Sequence, residues 1–485
     1  MKEFTRDFTT NREWLVRQFE RAATFRARKV INAHDPNLDI CVFYFDSMVN
    51  GDRLNRDVIT ALRREKIPQT EQSLAHRVAA GALYAGTQEF SEQTEKAAVQ
   101  IASGDCVILV GNCPTAIILD IKGMAARGIE QPDGEESVTG SHEGFNENII
   151  NDMGLIKKRL SSPNLKAEII QLGRQSHTAV CMMYLEGVVR SDTVERIRRK
   201  VSNISIDGVW DANYVMEMIV GSSLLFPLVG KTQRPDVAAD KLCEGRVVLI
   251  VNGSPTVLAL PFLFTENFQT ADDYYLNRPY GNVGRVLRLV GFFLAVSVPA
   301  FYIAMLMHHP SLLPPELLFS IAEAGREVPM SMLVELIALI LVFEILRETG
   351  SRMPQAVGLA LNIVGAIVLG QSAVEAGFVS APMVIVVAFS GTLGLMVREL
   401  RGTVFFLRLG LVAAAAGWGL FGIAGTMLVL WCYLHSLCSF GVEYMYTFSP
   451  LYLRAAQDVF FRGKIRFMNF RQKKFSHNRK RQGRV

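Results

Sequence analysis

The chain has 485 residues, half of them hydrophobic and a fifth charged, with mean hydropathy +0.22 and a formal net charge of +5. That length suits about three domains, and the charged share lies below the roughly 25% usual for soluble proteins. Intrinsic disorder, collagen-like repeats and disulfide scaffolds are excluded, and a purely soluble enzyme is disfavoured.

The opening MKEFTRDFTTNREW has no apolar core, so no cleaved signal peptide is expected. Up to about Arg285 the chain alternates strand-like and helix-like runs. DICVFYF, GDCVILVG, TAIILDI, HTAVCMMYL, GRVVLIV and PTVLAL are β-branched or aromatic stretches bounded by Gly, Asn or Pro. RDVITALRREK and SDTVERIRRKV carry helical spacing. Asp192 is expected to cap the second of these, with Glu195 reaching back as in a capping box. The seven cysteines form no CxxC pair and read as buried, reduced thiols.

This region contains an internal repeat. CVILVGNCPTAIILD from Cys106 aligns with VVLIVNGSPTVLALP from Val247, and CVFYFD from Cys41 aligns with CMMYLE from Cys181. The offsets are 141 and 140 residues, which points to two tandem α/β subdomains, 1–145 and 146–285. Gly111-Asn112-Cys113-Pro114 and Asn252-Gly253-Ser254-Pro255 suit the turn of a hairpin in each copy.

Apolar runs dominate from Leu289, and the fold expected is a multidomain membrane protein: a tandem α/β head, then an all-α transmembrane bundle over 286–445. A span needs about 20 residues, about 17 at the least. Runs at 289–307, 331–346, 357–374 and 378–397 are four candidates. The 37 residues from Val404 to Phe440 hold one charge, Arg408, and would make roughly 55 Å of helix, too long for one crossing. Two spans joined at the Gly-rich centre, 404–420 and 422–440, bring the total to about six.

Beyond them, residues 446–485 form a basic tail. From Arg454 to Val485 eleven Lys/Arg stand against one acid, Asp458. Positive charge flanks the spans on alternate sides, which places both the head and the tail on the cytoplasmic side.

Catalytic signatures are not found, and no enzyme activity, cofactor, metal site or nucleic-acid partner is expected. Gly230-Lys231-Thr232 lacks the earlier glycine of a phosphate-binding loop, since Leu225 stands there. Charges within the spans carry more information. Glu335 and Glu344 are nine residues apart and face opposite sides of a helix, whereas Glu344, Arg347 and Glu348 share a face. Structural pairing and a role in ion passage or gating both fit them. In the third span, Gly365, Ala366, Gly370 and Ala373 permit close helix packing. Alternatively, Leu361, Val364, Val368, Gln371 and Glu375 form one stripe. Repeated around an oligomer, that stripe would make an apolar constriction below a ring of Glu375, a geometry that gates by dewetting and favours cations.

Several stretches resemble the A subunit of bacterial spore germinant receptors, the GerA family. They are SHEGFNENIINDMGLIKKRLSSPNLKAEI, CMMYLEGVV, GRVVLIVNGSPTVLALPFLFTENFQTADDYY, FEILRETGSRMPQAVGLALNIVGAIVLGQSAVEAGFVSAPMVIVVA, GLFGIAG and SFGVEYMYTFSP. The resemblance implies a multi-pass protein of the spore inner membrane whose cytosolic head has thioredoxin-like subdomains. It implies a transporter-like, nutrient-binding B subunit and a C-subunit lipoprotein as partners. It also implies a homo-oligomer, a pentamer, that releases monovalent cations through the third-span stripe. The family usually has Arg-Gly-Pro-Arg/Lys-Glu where this chain has Thr139-Gly140-Ser141-His142-Glu143, and Asp where Asn252 stands.

Overall fold

The computed structural model describes residues 2–66, 74–82, 88–123, 135, 140–221, 225–352, 370–446, 458, 461–464, 470–472 and 474–478. Two α/β subdomains come first. The first holds α1 (Phe8–Gln18), β1 (Phe25–Val30), β2 (Ile40–Phe45), α2 (Gly51–Arg53), a π-helical turn over Leu54–Ile59, α3 (Thr60–Arg64), α4 (Leu74–Ala82), β3 (Gln88–Ser91), α5 (Thr94–Ala102), β4 (Cys106–Val110) and β5 (Ala116–Leu119). The second holds α6 (Ile149–Arg159), β6 (Leu165–Leu172), β7 (Thr178–Leu185), α7 (Ser191–Ser202), α8 (Ala212–Val220), β8 (Gly230–Thr232), α9 (Pro235–Cys243), β9 (Val247–Val251) and β10 (Val257–Leu260).

The sheet orders are β1-β2-β4-β5-β3 and β6-β7-β9-β10-β8, the same topology twice. Each copy holds the expected hairpin, β4–β5 and β9–β10. Side chains alternate across each sheet. Ile40, Val42 and Tyr44 pack with Leu62 and Val78 on one face, while Cys41, Phe43 and Phe45 pack with Leu15 and Ile101 on the other. Met182 and Tyr184 meet Ile197 and Val215, while Cys181 and Met183 meet Ile156 and Leu242. Central strands buried on both faces have no polar side to show, which is why they read as unbroken apolar runs.

Two expectations are corrected. Thioredoxin-like sheets contain βαβ units with parallel neighbours, but every pair within these two sheets is antiparallel. Asp192 does not cap α7. The helix starts at Ser191 after Arg190, and Asp192 in its first turn pairs with the Arg190 guanidinium at 2.9 Å; Glu195 pairs with Arg198 instead.

The helical layer follows α10 (Asp272–Tyr275). It comprises α11 (Arg278–His308), α12 (Pro315–Gly325), α13 (Met332–Arg352), α14 (Ala381–Leu395) and α15 (Arg401–Ser436). Among the described residues two helices, Arg278–His308 and Arg398–Ser436, are long and apolar enough to cross a membrane. The 15 residues of α14 make about 22 Å, short of a bilayer core of about 30 Å. The expected six-span bundle is therefore not seen as six long helices. Of the third expected span, only residues 370–374 fall within the described residues, and they are helical.

α15 reverses at Gly419, whose φ of 60° and ψ of −138° are non-helical. Both ends of α15 return to the head. Thr403 Oγ1 donates to the Leu225 carbonyl, and Ser439 Oγ, just beyond the helix, donates to that of Leu228 at 2.7 Å. Gly419 lies beside His308 at the far end of α11. β11 (Cys438–Ser439) and β12 (Val442–Glu443) then run against the head, where Phe264 N donates to Tyr444 O at 3.1 Å. The tail also docks there: Phe475 is buried with Leu263, Val442 and Tyr446, and Ser476 bridges to Val189. The expected head boundary at 285 falls inside α11.

Candidate functional site

Of the stripe residues, Leu361, Val364 and Val368 lie outside the described residues. Gln371 and Glu375 are both exposed, and Gln371 Nε2 donates to Glu375 Oε1 at 2.9 Å, as i,i+4 neighbours on one helix face can. Glu335 is buried. Its Oε1 accepts from Ser380 N at 2.6 Å and Ser380 Oγ at 2.7 Å, so a carboxylate from the first turn of α13 sits at the start of α14. Negative charge is favourable at that end of a helix, where backbone donors lack partners. Glu344 pairs with Arg347 within α13, and Glu348 is exposed. Glu335 and Glu344 are thus held by different partners.

Arg408 carries the least expected arrangement. Pro299 lies inside α11 and has no N–H, which frees the carbonyl of Ala295 four residues earlier. Arg408 Nε donates to that carbonyl at 3.1 Å and Ser390 Oγ donates to it at 2.8 Å. Arg408 Nη2 reaches the Ser390 carbonyl at 3.1 Å. One fully buried guanidinium therefore ties α15 to α11 and α14. Two signals are legible in the sequence, a lone charge in a 37-residue apolar run and a proline inside a span, but not that they meet.

A second polar cluster joins head, helical layer and tail. Asp273 accepts from Arg285 Nε at 3.2 Å and from Arg288 Nη2. Asp458 accepts from Arg285 Nη1 at 3.0 Å and from the Tyr274 hydroxyl at 2.6 Å. Burial pushes the Asp458 carboxyl up, outweighing the Tyr274 hydrogen bond and the Arg285 charge. Arg462 Nη1 donates to Asp273 O at 2.8 Å. Nearby, Glu266 takes Lys241 at 2.6 Å and Arg246. Burial would raise the Glu266 carboxyl, but the two cations prevail and hold it below its ordinary value. The signal for this cluster was Asp458, the one acid in the basic tail.

The departures from the family pattern fall at α6. Glu143 pairs with Lys158 at 2.7 Å and Arg159 at 2.6 Å, and the Lys158 hydrogen bond leads in holding its carboxyl below the usual range. Asn252 Oδ1 accepts from Ile149 N at 3.3 Å, at the start of α6. Thr139 lies outside the described residues.

A family model described as Bacillus/Clostridium GerA spore germination protein matches residues 13–474, through both subdomains and the helical layer. The chain belongs to the GerA family. It is 30% identical over 438 residues to Spore germination protein KA of Bacillus subtilis (strain 168), covering 90% of this chain and 80% of that protein. It is 32% identical over 425 residues to the Uncharacterized membrane protein YfkQ of the same organism, covering 87% and 82%. Among solved structures it is similar to the N-terminal domain of the A subunit of the Bacillus megaterium spore germinant receptor GerK3. That match has 20% identity and a TM-score of 0.42, and covers 54% of this chain and 98% of that one. The family read from the quoted stretches is borne out. In this GerA chain, both subdomains lie N-terminal to the apolar helices.

Proposed function

We propose that this chain is the A subunit of a spore germinant receptor in the spore inner membrane, working with a transporter-like B subunit and a C-subunit lipoprotein. In this reading it crosses the membrane about six times and assembles as a homo-oligomer, a pentamer, around a gated path for monovalent cations. The observation that carries the reading is the GerA match, because it extends over head and helices together.

The geometry supports it in two ways. Head and tail lie on one side of the helical layer, as an even number of crossings requires. Glu335–Ser380 and Phe343 against Gly391 put α13 and α14 side by side and parallel, which supports the reading of a return crossing between them. The apolar run at 357–374 is the candidate for that crossing and carries the stripe that ends at Gln371 and Glu375.

The test is cation flux through the full chain in liposomes, with and without B and C subunits. If Val368 forms an apolar constriction, Val368→Ala weakens dewetting and leaks, whereas Val368→Phe blocks without loss of assembly. Glu375→Gln lowers cation selectivity. Wild-type flux in Val368→Ala and Glu375→Gln, at normal protein levels, would move the path to another helix. No flux in any variant would leave a scaffold or transporter-like subunit without its own pore.

A further inference from the structure

Arg408 is 1% exposed, and its Nη1 has no hydrogen-bond partner among the described residues. The groups it does reach, the carbonyls of Ala295 and Ser390, are neutral. Leaving a cation in an apolar layer without a counter-charge is costly, so such residues ordinarily pair. The carboxylate whose field acts most on Arg408 is that of Glu344 on α13. Glu344 is at present paired with Arg347, three residues along its own helix. The two sites adjoin. Phe343, the residue before Glu344, packs so closely on Gly391 that a Cβ there would come within 2.4 Å of its ring, and Gly391 follows Ser390.

We propose that Glu344 is an exchangeable counter-ion, paired with Arg347 in the arrangement seen here and with Arg408 in a second one. In the second arrangement Arg408 releases the Ala295 and Ser390 carbonyls, so α11 loses its polar tie to α15 and keeps only the Ser390 hydroxyl bond to α14 next to the Pro299 break. Arg347 has the easier exchange, since its side chain is 25% exposed and can be solvated when Glu344 leaves. The device is thus a choice between two partners for one carboxylate, and it loosens or ties the helix that begins at the junction with the head. The inference rests on reading the helical layer as a gated bundle, but its test does not depend on conduction.

Ala295→Cys and Ser390→Cys, introduced together into the full chain in detergent, report the tie by disulfide formation, because Ser390 Oγ lies 2.8 Å from Ala295 O. Removing Glu344's present partner by Arg347→Gln should slow this cross-link about fivefold as the second arrangement gains population. Adding Glu344→Gln should restore the original rate, since no carboxylate is then left to draw Arg408 away. An unchanged rate in Arg347→Gln, or a slowing that Glu344→Gln does not reverse, overturns the exchange. Cation flux is measured on the same variants without the two cysteines. A cross-linking pattern as expected with no flux counts against the channel and leaves the exchange standing.

Discussion

Gly422 lies directly against the carbonyl of Ala414, and a Cβ added at Gly422 would sit 2.1 Å from that oxygen. Residues eight apart in a continuous helix are separated by about 12 Å of rise. The contact therefore requires the chain to fold back between them, and Gly419 is where it does so. At φ 60° and ψ −138° Gly419 occupies backbone space that other residues enter at a cost of about 1–3 kcal/mol. Gly419→Ala should destabilise by more than that, since its Cβ would also come within 2.9 Å of His308 Cβ, and Gly422→Val should prevent the two arms from packing. Gly417 and Gly425 have nothing within 4 Å of an added Cβ, so Ala at either should be neutral or stabilising. Thermal midpoints of the full chain in detergent check the set. Equal effects at all four glycines would contradict a turn confined to Gly419.

The sequence made the centre of each sheet legible and hid its edges. The six runs read as strands became β2, β4, β5, β7, β9 and β10, all flanked by neighbours on both sides. The other four strands of these two sheets, β1, β3, β6 and β8, are their edges. FRARKV in β1 puts four consecutive residues in solvent, and a strand that need not bury both faces shows no apolar run. Gly230-Lys231-Thr232, set aside as a phosphate loop, is one of these edges. The polar ties were less legible still. Arg408 with Ala295 is separated by 113 residues and Arg285 with Asp458 by 173, and helical spacing says nothing about such pairs.

Lys157 and Asp152 give the head opposite responses to pH. Lys157 is buried between the subdomains, with Nζ donating to Thr24 Oγ1 at 2.6 Å and lying 3.7 Å from the centre of the Phe45 ring. Burial lowers it from 10.5 to about 7. The unfolded chain then binds the extra proton between pH 7 and 10.5, so the penalty is full below about 7 and fades as pH rises. Asp152 is raised by burial from 3.8 to about 7. Here the folded state binds the extra proton, so the penalty grows as pH rises from 3.8 and is full above about 7. Lys157→Met should therefore raise the thermal midpoint most at pH 6, and Asp152→Asn most at pH 8. Parallel pH profiles for the two variants would show that neither ionisation is linked to folding.

The sidedness of the layer can be read with single added cysteines. Glu316 in α12 is exposed at the end of the layer beyond His308, and His477 in the docked tail is exposed at the other. Six crossings predict that Glu316→Cys reacts with an impermeant maleimide from outside and that His477→Cys reacts only after permeabilisation. The neighbouring Ser476 is 3% exposed, so silence there would report burial rather than topology. The native Cys432 and Cys438 are exposed in the isolated chain and have to be replaced first. External labelling at His477 would make the number of crossings odd and would contradict the placement of head and tail on one side.

The junction cluster contains two carboxylates with unequal roles. Asp273 is 3% exposed and accepts from both Arg285 and Arg288, whose side chains are 2% and 15% exposed. Removing its charge by Asp273→Asn leaves the half-buried Arg288 without its counter-ion and the buried Arg285 with Asp458 alone, a loss approaching the about 3–5 kcal/mol seen when one side of a buried pair is deleted. Asp458 also touches Arg285, but its side chain is 21% exposed, and burial already raises its carboxyl against the pull of that arginine. Its ionised form gains little net stability, and Asn at this position can still accept from the Tyr274 hydroxyl. Asp458→Asn should therefore cost far less than Asp273→Asn. The difference is measurable as thermal midpoints of the full chain, with limited proteolysis at Arg462 as a second readout: Asp273→Asn should expose that site, because loosening α10 moves the Asp273 and Leu276 carbonyls that hold the Arg462 guanidinium. If Asp458→Asn proves the more damaging of the two, the tail's own acid, and not the α10 carboxylate, is what joins the helical layer to the head.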